Sequence, residues 1–163
     1  MEADVSSRLK QVLRYLPASV GIVTSYSLDG DEPVGLAMSA VMPMSLEPCS
    51  MAISINRSGS SYPSMISAGE FCLNLLDTDT YQFLEPFVGS RLREQRFGCD
   101  WEKHGKLWYI PNAPANIFCK IEKVVSYGTY DLVIGRVVEL LTRPSSDLLC
   151  WADGSLGRFS RLQ

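Results

Sequence analysis

Residues 35 to 48, "GLAMSAVMPMSLEP", alternate between large and small at period two. Leu36, Met38, Met42, Met44 and Leu46 share one parity. Gly35, Ala37, Ser39, Pro43 and Ser45 share the other, with Val41 the one sizeable exception. Period two predicts a β-strand, whose successive side chains point to opposite faces. A half-buried strand ordinarily sets apolar residues against long polar ones that meet water. Here the second face is nearly stripped of side chains. "SMAISI" repeats the pattern, with Met51, Ile53 and Ile55 on a large face and Ser50, Ala52 and Ser54 on a small one.

Around these strands the pattern predicts a helix from Val5 to Tyr15, stopped by Pro17. "VGIVTSYSL" (20–28) and the strand starting at Pro33 form a hairpin across Asp29-Gly30. "NRSGSSYPS" is a Gly/Ser loop that opens a helix through Met65 and Ile66, closing at Gly69, and "EFCLNLL" is a strand. Thr78 to Val88 reads as helical, with Thr78 or Asp79 as N-cap. Residues 89–116 read as irregular, with one short helix at Arg91 to Phe97. "ANIFCKIEKVVSYG" and "TYDLVIGRVVELL" form a second hairpin, and a last strand falls at Leu148 to Trp151. Six or seven strands and three or so helices without βαβ alternation predict a mainly β fold with flanking helices, an antiparallel barrel or sheet. No repeat or linker divides the chain, so residues 1–163 are expected to be a single domain.

Composition narrows the function. The chain has 163 residues, 46% apolar and 20% charged, with a net charge of -3, which disfavours nucleic acid as a partner; a local basic patch at Arg91, Arg93 and Arg96 remains open. No apolar run has the ~18 residues a membrane span needs, and the charged N-terminus does not read as a signal peptide. Cys49, Cys72, Cys99, Cys119 and Cys150 form no CxxC pair, and His104 is the sole histidine. Reduced, mostly buried thiols in a cytoplasmic protein are expected, with no metal site.

Two adjacent strands with small faces make a shallow floor on which a flat group can lie close to backbone N–H and C=O groups, with Ser39 and Ser45 adding hydroxyls. The following loop, with Asn56, Arg57, Ser58, Ser60 and Ser61, offers a guanidinium and hydroxyls suited to a phosphate. Floor and clamp together describe a seat for FMN or the flavin half of FAD. Small residues on one strand face more often reflect tight packing in a narrow barrel interior or a subunit contact, and a single Arg-Ser loop is more often only a solvated connection.

The ordered set "LPASVGIVTS", "GLAMSAVMPMSLEP", "ISINRSGSSYP", "FCLNLL", "FVG", "RFG…W" and "GTYDLVIGRVVEL" resembles the flavin reductase-like family, the small reductase components of two-component flavin monooxygenases. The resemblance runs from about Tyr15 to Leu141 and more weakly through "GRFSRL". It implies a split β-barrel of Greek-key type, usually a homodimer, binding FMN or FAD and oxidising NADH or NADPH. Reduced flavin then passes to a separate oxygenase component. It also implies that the stretch matching Ala37 to Ser45 (Ala37, Met38, Ser39, Ala40 and Ser45) cradles the flavin ring. By the same resemblance Asn56, Arg57, Ser58, Ser60 and Ser61 hold the phosphate, and Phe87 lies near the flavin.

Three departures stand out. The family's usual Thr is Ala37, the second Ser of its phosphate loop is Gly59, and its Gly-Asp-His corner reads Gly128-Thr129-Tyr130. Tyr130 is thus the candidate catalytic residue in place of the family His; a phenol stacks and hydrogen-bonds but lacks imidazole's titration near neutrality. The leading expectation is an NAD(P)H-dependent flavin reductase. One alternative is a flavin-binding protein that has lost nicotinamide use, as an electron carrier or an enzyme acting on another substrate. The other is an interaction module without cofactor.

Overall fold

The structure, a computed structural model, describes residues 2–163, with side chains from residue 4 onward. It opens with helix α1 (Glu2–Leu13), followed by β1 (Ala18–Ser19), β2 (Gly21–Tyr26), β3 (Pro33–Met38), β4 (Val41–Leu46) and β5 (Cys49–Asn56). Helix α2 (Tyr62–Ala68) leads to β6 (Glu70–Leu75), and after three 3-10 turns come β7 (Glu102–His104) and β8 (Leu107–Tyr109). The chain ends with β9 (Ala115–Tyr127), β10 (Tyr130–Thr142), β11 (Leu149–Ala152) and β12 (Ser155–Arg158). Among the described residues no helix is long and apolar enough to cross a membrane.

Seven strands form the main antiparallel sheet in the order β3-β2-β6-β9-β10-β5-β4. Its two edge strands are consecutive in sequence, joined only by Ser39 and Ala40. Laid flat, the edges would stand ~29 Å apart at ~4.8 Å per strand step. The link from Met38 to Val41 spans at most about 11 Å. The sheet must therefore curl until its edges meet at Ser39–Ala40. This overturns the expectation of one continuous strand through residues 35–48. Met38 is buried, whereas Met42, Met44 and Leu46 are 49%, 44% and 82% exposed, so the large parity changes sides across the link.

Inside the curl, Val23, Ile53, Ile55, Phe71, Leu73, Cys119 and Val133 pack with Met65 of α2. Gly135 is where the wall comes closest. A Cβ there would stand 2.7 Å from the Cys119 Cβ and 2.8 Å from a Phe71 ring carbon. Gly135→Ala is expected to cost about 1–3 kcal/mol, because the Phe71 ring must move and the Cys119 Cβ, fixed to β9, forces the two strands apart, measurable as a lowered urea midpoint with unchanged slope.

A second cluster joins Phe83, Phe87, Phe97, Trp101 and Trp108 in edge-to-face and tilted contacts under β3. Here Thr78–Val88 is not the expected helix but two 3-10 turns, Tyr81–Phe83 and Glu85–Phe87. Asp77 competes for the local donors: its Oδ1 accepts from the Thr80 hydroxyl at 2.9 Å and the Asp79 amide at 3.1 Å. Pro86 supplies no N–H to continue a helix. The segment 89–116 carries a 3-10 turn at Arg93–Gln95 and the hairpin β7–β8, whose three-residue strands are too short for periodicity to reveal. His104 belongs to that hairpin, exposed and against Phe118 with ring centroids 4.6 Å apart. β12 was also unforeseen; it returns on β11 through Asp153 and Gly154, both at positive φ. Of the five free thiols only Cys72 and Cys119 are fully buried, fewer than expected.

Candidate functional site

The seam where the sheet edges meet leaves backbone donors free. The ladder of β3 with β2 ends at Met38, and that of β4 with β5 begins at Val41. Between them the amides of Ser39 and Ala40 have no hydrogen-bond acceptor among the described residues, and both residues are exposed. A cavity of about 400 Å³ opens at this point, lined by Ser39, Ala40, Met42, Ala52, Ser54 and Leu132, with Leu16 to Ser19 along one side. The pairings Met42↔Ala52, Ala52↔Ile134 and Ser54↔Leu132 put the small residues of β5 on the outer face of the curled sheet. Their neighbours Ile53, Ile55 and Val133 point into the core. A groove bordered by Leu16, Met42 and Leu132 lies over this small face, with Ala52 itself buried at its base.

On the other side of the seam a cavity of about 180 Å³ is lined by Ala37, Met38, Ser39, Val88 and Trp151. Ser39 thus borders both. Tyr130 pairs with Asn56 at the end of the floor, on the face of Leu132, and is 47% exposed. A larger polar cleft of about 720 Å³ lies around Asp79, Asp100 and Arg143, but the Arg143 guanidinium there is already bonded to Asp77 at 2.6 Å.

At the end of β5 the loop is tied to its own scaffold. The Asn56 Oδ1 accepts from the Ser58 amide at 3.0 Å and the Ser58 hydroxyl at 2.8 Å. The Ser61 hydroxyl, buried, donates to the Gly35 carbonyl at 3.0 Å. Ser60 accepts from Arg93 at 3.3 Å. Arg57 turns toward the β9–β10 corner, donating to Asp131 and the Tyr130 carbonyl, each at 2.8 Å, and to the Gly128 carbonyl. Asp131 also accepts from Ser126 at 2.7 Å and from Tyr62. Hydrogen bonds from Ser126, Tyr62 and then Arg57 lower the Asp131 carboxyl to about 2 against the opposing effect of burial.

The structure therefore gathers Ala37, Met38, Ser39 and Ala40 at the seam, and Asn56, Arg57, Ser58, Ser60 and Ser61 at the end of the floor. It does not bring Ser45 or Phe87 there. Ser45 lies beyond the cavity near the far end of β4, accepting from the Glu47 amide at 3.1 Å. Phe87 is 6% exposed, wedged against Phe97 and Trp101, with the Arg96 guanidinium 4.8 Å from its ring centroid. Its ring supports β3 from below, and the exposed Val88 beside it reaches the smaller cavity. Leu132 and Trp151 line the cavities without any local signal in the sequence, because β10 and β11 reach the seam only through strand pairing.

The profile of the flavin reductase like domain matches residues 13–160. A flavin reductase (NADH) of Kitasatospora aureofaciens is 31% identical over 150 residues, covering 86% of this chain and 75% of that protein. The reductase component of an FADH(2)-dependent resorcinol hydroxylase from Rhizobium sp. is 28% identical over 136 residues, covering 82% and 76%. The fold is shared with the crystal structure of a flavin reductase domain protein from Arthrobacter sp. FB24, with a TM-score of 0.88 at 21% identity over 97% of this chain and 98% of that one.

Proposed function

The chain belongs to the flavin reductase-like family, and from that premise we propose that it oxidises NADH to reduce a flavin for a separate oxygenase. The observation that carries this reading is the groove at the seam: a floor of small residues beside two unpaired backbone amides, the needs of a flat ring with polar edges. Nicotinamide supplies a hydride, two electrons with one proton, and flavin accepts it; that chemistry is the cofactors' own. The protein supplies placement, which alone accounts for much of the rate in such a transfer.

In this reading the Ser39 and Ala40 amides hydrogen-bond the ring edge, Ala52 and Ser54 leave room for its face, and Ala37 and Met38 border it from the smaller cavity. Tyr130, half-exposed at the end of the floor, packs against the nicotinamide or the flavin. The loop Asn56–Ser61 receives the phosphate-bearing tail, of FMN or of FAD. Meeting of the sheet edges without a ladder between them supports a split β-barrel, and free thiols at all five cysteines suit the cytoplasm. A homodimer is the natural partner for the apolar stripe of α1, where Val5, Leu9, Val12 and Leu13 are each at least half exposed.

The test is nicotinamide consumption by the purified protein with NADH or NADPH and added FMN or FAD. Turnover that depends on added flavin is expected, and the four combinations identify both preferences. Flavin binding without nicotinamide consumption would overturn the reductase reading and mark Tyr130 as the site of changed chemistry.

A further inference from the structure

Two cations stand at the loop Asn56–Ser61, and only one is unspent. Arg57 uses three of its N–H groups on protein acceptors, and its charge faces the Asp131 carboxylate at 2.8 Å. That carboxylate is 2% exposed and held by Ser126 and Tyr62 as well, so it does not swing away. An incoming phosphate at Arg57 meets a guanidinium already neutralised, with a second anion behind it.

Arg93 is different. It arrives from the 3-10 turn Arg93–Gln95, between Phe87 and Phe97 of the aromatic cluster, exposed, and its Nη2 donates to the Ser60 hydroxyl at 3.3 Å. Among the described residues no carboxylate lies within ion-pair distance of it. Its neighbour Arg96 is committed elsewhere, donating to the carbonyls of Pro86 at 2.6 Å and Gly89 at 2.8 Å. Burial, and to a lesser extent the charge of Arg93, hold the Arg96 guanidinium below its ordinary value.

We propose that Arg93, acting across Ser60, is the side chain that reads the phosphate of the flavin tail, and that Arg57 is a brace locking the β9–β10 corner to the loop through Asp131. The proposal rests on the flavin reading above and assigns within it the residue that separates phosphorylated from unphosphorylated flavin.

Equilibrium titrations of flavin fluorescence with FMN and with riboflavin test it, on wild type, Arg93→Gln and Arg57→Gln. Wild type is expected to prefer FMN. Arg93→Gln should weaken FMN about tenfold, the typical loss of one charge-assisted hydrogen bond, and leave riboflavin unchanged. Arg93→Lys should keep part of the preference. Arg57→Gln should retain the FMN-to-riboflavin ratio while lowering the melting temperature. A ratio that collapses in Arg57→Gln and survives in Arg93→Gln overturns the assignment. So does a wild type that binds both flavins equally, although the flavin site then stands. Failure of wild type to bind either flavin would instead remove the site itself, and the assignment with it.

Discussion

Ser54→Leu is expected to abolish most flavin binding while leaving the fold intact. Ser54 sits on the outer face of β5, opposite Leu132 and within the groove, while its neighbours Ile53 and Ile55 hold the strand to the core. A leucine there stands where the ring would lie. Losing on the order of 100 Å² of ring burial at ~25 cal/mol per Å² amounts to about 2.5 kcal/mol, or a fall in affinity of nearly a hundredfold. The hydroxyl has no buried partner to leave unsatisfied, so the melting temperature should move little. Unchanged flavin affinity in a folded Ser54→Leu protein would move the ring elsewhere, with the smaller cavity beside Trp151 as the place to look.

Asp77→Ala is expected to produce the largest loss of stability. The carboxylate is 1% exposed and accepts from Arg143 at 2.6 Å, Ser145 at 2.8 Å and Thr80 at 2.9 Å. Together with the Asp77↔Leu148 bridge, these bonds strap the segment before β11 onto the end of β6 and so place Trp151. Removing one partner of a buried pair costs about 3–5 kcal/mol; because Arg143 keeps 27% exposure, about 3 is the figure expected here. Burial pushes the Asp77 carboxyl up, but the bonds from Ser145, Thr80 and Arg143 outweigh it and leave the group lowered. A depressed folded value contributes stability above the unfolded value of ~3.9 and loses it as pH falls through the folded one. The gap between wild type and Asp77→Ala in urea should therefore be full at neutral pH and narrow below about pH 4. A gap constant from neutral to acid pH would show that the loss comes from packing.

Much of the lining of the candidate site was legible because it is written at short range. Alternation at Ala37 to Ser45 and at Ser50 to Ile55 is a local property of extended chain, and it marked the floor. The Asn-Arg-Ser run likewise marked the loop at the floor's end. Where a side chain's surroundings were not legible, a partner distant in sequence supplies them. Phe87 packs against Phe97 and Trp101, a setting that its own stretch of sequence does not show. Arg57 reads as part of a phosphate clamp, and its pairing with Asp131, 74 residues later, has no local signal. Arg93 carried no signal of its own beyond a loose basic cluster, since nothing local indicates that it meets Ser60.

What the sequence by itself determined is the strand-rich character, the hairpins at Asp29-Gly30 and Gly128-Thr129, and the small-residue face, all set by backbone preferences and side-chain period. Only the tertiary structure decided that residues 35 to 48 serve two opposite edges of one sheet. Its reason is geometric: a two-residue link at Ser39–Ala40 forces the sheet to curl, and the curl ends both ladders at that link. The unpaired amides and the groove are products of that closure, which no single strand contains.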